Sequence, residues 1–266
     1  MMISNAQIFA IIFSAAVSFL FPLIAMIVWR KKTHARIFAA VTGAVIFFVF
    51  AMVLEQVMHV LVLRPNGYVL SHTWSYVLYG TLAAGVFEET GRLVGFKLLL
   101  KRQTGRETGV MCGLGHGGME SLLLCTVAMV TNLVVALQLN AAGGNVDALS
   151  ETFQTLAASL TQMPAGQLAL SGLERVLAIC LHTALSVLVF QAVNRPGKFW
   201  LYPAAIALHA GVDVFAALRQ RGVISMYVSE LLVLAAVVVV CLIAVKLYRA
   251  DLEKTEEPVE ISAENE

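Results

Sequence analysis

Apolar residues along this chain gather into long runs separated by short polar stretches, at about 7–29, 37–63, 74–100, 109–139, 167–192, 199–218 and 223–247. A helix needs about 20 apolar residues to cross the hydrocarbon core of a bilayer. Backbone N–H and C=O groups find no water there, so a run of this length is read as a helix that satisfies them internally. The pattern predicts an all-α fold, a polytopic transmembrane helix bundle of about seven spans. Residues 1–250 form a single membrane domain with no internal repeat and no soluble module.

Charge orients the bundle. Arg30, Lys31, Lys32 and Arg36 follow the first run, and Lys101, Arg102 and Arg106 follow the third. Arg195 and Lys198 part the fifth from the sixth, while Lys246, Arg249 and Lys254 follow the seventh. These clusters fall on alternate connections. By the positive-inside rule the N-terminus is outside and the C-terminus cytoplasmic. The stretch at about 140–166 then lies outside, with Leu149, Phe153, Leu156 and Leu160 at helical spacing, which predicts a short helix on the outer surface. Residues 251–266 are acidic and poor in large apolar side chains, an expected disordered cytoplasmic tail.

Composition agrees, with 59% hydrophobic and 13% charged residues against the roughly one quarter charged of a soluble domain. The N-terminal run is too long for a signal-peptide core and reads as an uncleaved first span. Cys112, Cys125, Cys180 and Cys241 sit inside apolar runs without Cys-x-x-Cys spacing, so they are expected as buried thiols.

Ionisable residues inside a span are costly unless paired or hydrated, so each is a functional candidate. The third run carries Glu88, Glu89 and Arg92, the fourth His116 and Glu120, the fifth Glu174, Arg175 and His182, and the sixth His209 and Asp213. At about 1.5 Å of rise per residue, most of them fall in one slab roughly 10–20 Å from the cytoplasmic boundary. His116 with Glu120, and His209 with Asp213, are four apart and share a helix face. Gly109, Gly113 and Gly117 form a small-xxx-small stripe that admits a neighbouring backbone, and the Gly117-Gly118 step is a candidate for a loosened turn. Glu55 and His59, also four apart, are expected as an interfacial or packing pair outside the slab.

Imidazoles and carboxylates from several helices suit zinc with one position left for water, and His116, Glu120, His182 and His209 are the candidate ligands. Glu88 or Glu89 is the candidate general base, Arg92 a candidate to neutralise a carboxylate or hold an oxyanion, and Asp213 or Glu174 a candidate to orient a histidine. Water so activated attacks a peptide carbonyl.

The stretches Glu88-Glu89-x-x-Arg92, Gly115-His116-Gly117-Gly118-x-Glu120, the helix of His182, and His209-x-x-x-Asp213 resemble the YhfC-type membrane peptidases. That family is similar to the wider clan of CAAX-prenyl endopeptidases, bacteriocin-processing proteins and PrsW-like proteases. The resemblance covers the third to sixth spans. It implies an intramembrane endopeptidase of the bacterial inner membrane, with helices at about 74–218 catalytic and a membrane-embedded or membrane-proximal polypeptide as substrate. It implies that one of Glu88 and Glu89 activates water, that His116 or His182 is the middle histidine, and that His209 with Asp213 is the final motif. The wider clan has one more residue before its Arg, which turns Arg92 by about 100° around the helix. It includes both zinc-dependent and metal-free glutamic mechanisms. Three other readings stand beside it: a proton- or ion-coupled transporter, a haem protein ligated by His182 and His209, and a non-catalytic immunity or regulatory protein. Nothing in the charge pattern points to nucleic acid.

Overall fold

The computed structural model describes residues 2–256, and every regular element among them is helical. Helix α1 is Asn5–Thr33 and α2 is Ile37–Val62. Helix α3, Thr73–Val94, is followed by a wide turn over Gly95–Leu99. Helix α4 is Glu107–Ala141, α5 Glu151–Gln162, α6 Ala165–Asn194, α7 Leu201–Gln220 and α8 Met226–Glu256. Among these, α1, α2, α4, α6, α7 and α8 are long and apolar enough to cross a membrane. Helix α3 carries Glu88, Glu89 and Arg92 and is not among those six. The last helix continues to Glu256, and the remainder of the expected acidic tail, 257–266, lies outside the described residues.

Contacts between connections define two ends of the bundle. At one, Trp29 donates to the Glu107 carbonyl (3.1 Å), Arg106 stacks over Tyr248, and Arg195 pairs with Asp251 at 2.5 Å. This end gathers the Lys/Arg clusters. At the other, Asn140 exchanges two hydrogen bonds of 2.8 Å with the Ile3 backbone, and Gln7 caps α5 through the carbonyls of Leu160 and Met163. Helix α5 has the expected amphipathic spacing. Its Ala157 and Leu160 are fully buried in a cluster with Ile11, Val135 and Leu139 of α1 and α4, so the protein itself covers that part of its apolar face.

Glycines set the spacing of the helices that carry the polar residues. A side chain at Gly113 would meet Thr183 Cα at 2.5 Å and the His182 carbonyl at 2.9 Å, and one at Gly117 would meet Ile179 Cα at 3.0 Å. The Gly109/Gly113/Gly117 stripe therefore lies directly on α6. On its other side α4 touches α2, where Gly115 abuts the Ala40 backbone and Gly43 the Cys112 carbonyl. Helix α4 is wedged between two neighbours with no room for a methyl group, and this fixes His116 and Glu120 between α2 and α6. Overpacking of this kind costs about 1–3 kcal/mol per intrusion and more against backbone. Gly113→Leu is expected to lower the melting temperature in detergent steeply. Gly211→Ala, where a side chain would meet nothing within 4 Å, should change stability by less than about 0.5 kcal/mol.

Two irregularities were not visible in the apolar pattern. The helix runs unbroken through Gly117-Gly118 and widens to π geometry later, over Leu122–Thr126. Helix α2 widens likewise over Phe48–Glu55. One extra residue over two turns leaves Glu55 within about 20° of Phe47 instead of about 80° away. Phe47, Ala51 and Glu55 are all buried as a result.

Candidate active site

The polar residues of α3, α4, α6 and α7 converge. Glu88, Glu89, Arg92, His116, Glu120, His182 and His209 are each at most 8% exposed, a degree of burial that charged groups tolerate only in one another's company. The His116 and His182 rings are 5.0 Å apart and the His182 and His209 rings 5.3 Å, which forms a row of three imidazoles. Phe47 closes one end with its ring against His116 at 5.2 Å.

Glu88 faces the first two of these rings. Its Oε2 lies 2.8 Å from His116 Nε2 and 3.7 Å from His182 Nδ1. Glu88, His116 and His182 each offer a ligand atom, and these atoms all lie within 4.8 Å of one another. Glu89 faces the third ring. Its Oε1 is held by Arg92 and by His209 Nδ1 at 2.8 Å, while its Oε2 is buried with no hydrogen-bond partner among the described residues. The two carboxylates are adjacent on one helix and so point about 100° apart. Each therefore serves a different part of the row.

Arg92 sits between them. Its guanidinium contacts Glu89, lies 3.6 Å from Glu88 Oε2, and is 2.7 Å from His182 Nδ1. His209 bridges onward, with Nε2 at 3.3 Å from Asp213 Oδ2, and Asp213 is the most exposed of these residues, with 34% of its side chain accessible. Glu120 holds His182 Nε2 from the other side and is itself bonded by Arg175 Nη1 at 2.7 Å. From there the charges alternate away from the centre: Arg175 to Glu174 at 2.9 Å, Glu174 to Arg219 at 3.7 Å, and Arg219 to Glu230 of α8 at 2.8 Å.

The ten ionisable residues singled out in the third to sixth runs thus lie in one connected network. The close three-residue group contains His116 and His182 together with Glu88. Glu120 braces His182 against Arg175, and His209 joins Glu89 to Asp213. Arg175 as the partner of Glu120, and Arg219 and Glu230 beyond it, were not legible in the sequence. The only hint was the adjacency of Glu174 and Arg175. Glu55 and His59 do pair, Oε1 to Nε2 at 3.2 Å, with His59 Nδ1 at 2.9 Å from Tyr79 Oη. Glu55 is buried rather than interfacial, because the π turn of α2 carries it inward.

Comparison with known proteins places the chain among membrane proteins. It is 36% identical over 234 residues to a protein of Bacillus subtilis (strain 168) described as "Uncharacterized membrane protein YhfC", covering 84% of this chain and 89% of that protein. No solved structure matches it. A family model described as YhfC intramembrane metalloprotease matches residues 17–235, which hold every residue of the network from Glu88 to Glu230. The chain is a multi-pass membrane protein and belongs to the YhfC family.

Proposed function

We propose that this chain is an intramembrane endopeptidase that hydrolyses a peptide bond of a membrane-embedded or membrane-proximal polypeptide. In this reading it spans a bacterial inner membrane seven times, with α3 as the seventh span, its N-terminus outside and its Lys/Arg-rich end in the cytoplasm. The reading rests above all on Glu88, His116 and His182, three buried ligand-capable residues from three helices with their donor atoms within 4.8 Å. Transport alone does not call for a grouping of this kind.

Two imidazoles and a carboxylate are the donor set of many zinc hydrolases. The donors present here fit that set, and His116 Nδ1 is buried with no hydrogen-bond partner among the described residues. Glu88, His116 and His182 would hold the ion, and Glu120, with Arg175 behind it, would fix the His182 ring. Zinc so held supplies Lewis acidity, which acidifies water and polarises a carbonyl. Glu89 Oε2 takes one proton from water as the water oxygen bonds to the carbonyl carbon. His209, bonded to the other oxygen of Glu89 and to Asp213, keeps that carboxylate in place. The C–N bond then breaks as the departing nitrogen takes the proton back, leaving a carboxylic acid and an amine, between which the remaining proton then passes.

One observation favours a second form of the same activity. The Arg92 guanidinium, 2.7 Å from His182 and 3.6 Å from Glu88, already brings positive charge to the pocket. In a metal-free glutamic mechanism Arg92 would hold the developing oxyanion while Glu88 or Glu89 activates water.

Hydrolysis has a direct signature. Purified protein in proteoliposomes, given a panel of synthetic transmembrane peptides in ¹⁸O-labelled water, is expected to yield fragments whose new carboxyl terminus carries one heavy oxygen. Intact peptides throughout the panel, together with proton or ion flux through the same vesicles, would replace the protease reading with transport.

A further inference from the structure

Between α2, α3 and α7 lies a cavity of about 270 Å³ that meets the centre described above at Asp213. It is lined by His59, Tyr76, Gly80, Thr81, Asp213 and Gln220 among others. Gln220 ends α7 and Tyr76 belongs to the first turn of α3, so the cavity opens at the end opposite the Lys/Arg clusters. Tyr76 donates to Gln220 there at 3.0 Å. At its inner end stands Asp213, from which His209 leads to Glu89 in two steps of 3.3 and 2.8 Å. His59 forms part of one wall and is held between Tyr79 and the buried Glu55.

Size and lining indicate what this cavity holds. Ligand pockets generally run from about 300 to 1,000 Å³, and at about 30 Å³ per molecule this space suits a file of water better than a stretch of polypeptide. Apolar cavities stay dry, whereas polar ones fill. Two further cavities, of about 460 and 260 Å³, are lined by residues such as Leu114, Ile179, Pro22 and Leu122, and neither touches a residue of the centre. A hydrolase buried among apolar helices needs one molecule of water per turnover, and this polar opening ends on the catalytic network.

We propose that the His59–Asp213 vestibule is the route by which water reaches the hydrolytic centre, from the end opposite the Lys/Arg clusters, and that Glu55 and His59 are positioning residues that keep its wall polar. This rests on the protease reading, but the vestibule can be probed without any cleavage. Gly80 offers the means, because a side chain there would meet no atom within 4 Å and would project into open space. A bulky residue at Gly80 is therefore expected to fill the passage.

The full-length chain in sealed vesicles of both orientations is treated with a membrane-impermeant methanethiosulfonate. Of the four thiols expected to be buried, Cys112 and Cys125 are and Cys180 and Cys241 are only half-buried, so the native chain labelled in parallel sets the background to be subtracted. Asp213→Cys is expected to react from one face only, and adding Gly80→Phe should slow that reaction about ten-fold or more, whereas Gly80→Ala should not. His59→Leu should slow it too, and His59→Gln, which restores a polar wall, should recover it. In the otherwise native chain, Gly80→Phe is expected to lower kcat about ten-fold with KM within about two-fold. An Asp213→Cys thiol that reacts from neither face, or equally fast behind Gly80→Phe, overturns the route. Blocked labelling with undiminished kcat overturns the supply of catalytic water through it. Blocked labelling in a chain that cleaves nothing supports the aqueous passage and removes only the protease reading.

Discussion

Glu89→Gln is expected to lower peptide cleavage about 10²–10⁴-fold, the usual contribution of a positioned general base. Glutamine keeps the shape and can still accept from His209, but it cannot take the proton of water. The substitution has a second effect, because Arg92 is fully buried and loses one of its two carboxylate partners. Breaking one side of a buried ion pair costs about 3–5 kcal/mol, while replacing both sides with apolar groups of similar volume is often neutral. Glu88 remains 3.6 Å from Arg92, so the loss should fall toward the lower part of that range. The test therefore pairs Glu89→Gln with the double variant Glu89→Gln/Arg92→Met. The double variant should regain thermal stability in detergent and recover no cleavage. A double variant that is stable and active would take the proton-transfer role away from Glu89.

The second large effect concerns metal. Purified native protein is expected to carry about one zinc per chain, and His116→Ala with His182→Ala to carry none, as read by elemental analysis alone. Chelation should lower the melting temperature of the native protein and leave the double variant unchanged, since a ligand that binds only the folded state stabilises it by mass action. Native protein that cleaves peptides at full rate with no metal bound would establish the glutamic form, with Arg92 as the cation of the pocket.

The helical runs and the depth of the ionisable residues were readable because both follow from one-dimensional quantities, the length of an apolar stretch and the rise per residue. Convergence was inferable for a related reason. A charged group in hydrocarbon needs company, and His116, His182, His209, Glu88 and Glu89 fell at one depth. Division of labour among them was not readable, because depth says nothing about azimuth between separate helices. Glu120 and His209 are ligand-type residues at the right level, yet one turns to Arg175 and the other to Glu89 and Asp213. For Glu120 the rotation comes from glycine contacts on both sides of α4, and the Gly109/Gly113/Gly117 stripe revealed only the side against α6. The pairing of Glu55 with His59 was readable from their spacing, but the burial of Glu55 was not. A π turn leaves no trace in hydropathy, and an ideal helix would turn Glu55 away from the face that Phe47 and Ala51 occupy.

The alternating charges that run from His182 through Glu120, Arg175, Glu174 and Arg219 to Glu230 have a consequence for biogenesis. Five of those residues are synthesised before the last span begins, and Glu230 arrives only with it. Until α8 inserts, Arg219 has the more distant Glu174 at 3.7 Å to share with Arg175 and lacks its nearest counterion. A nascent chain can thus assemble the imidazole row early, but its bracing is finished only when the final span packs. If the chain is the protease proposed above, this order keeps its centre unbraced until the last span is made.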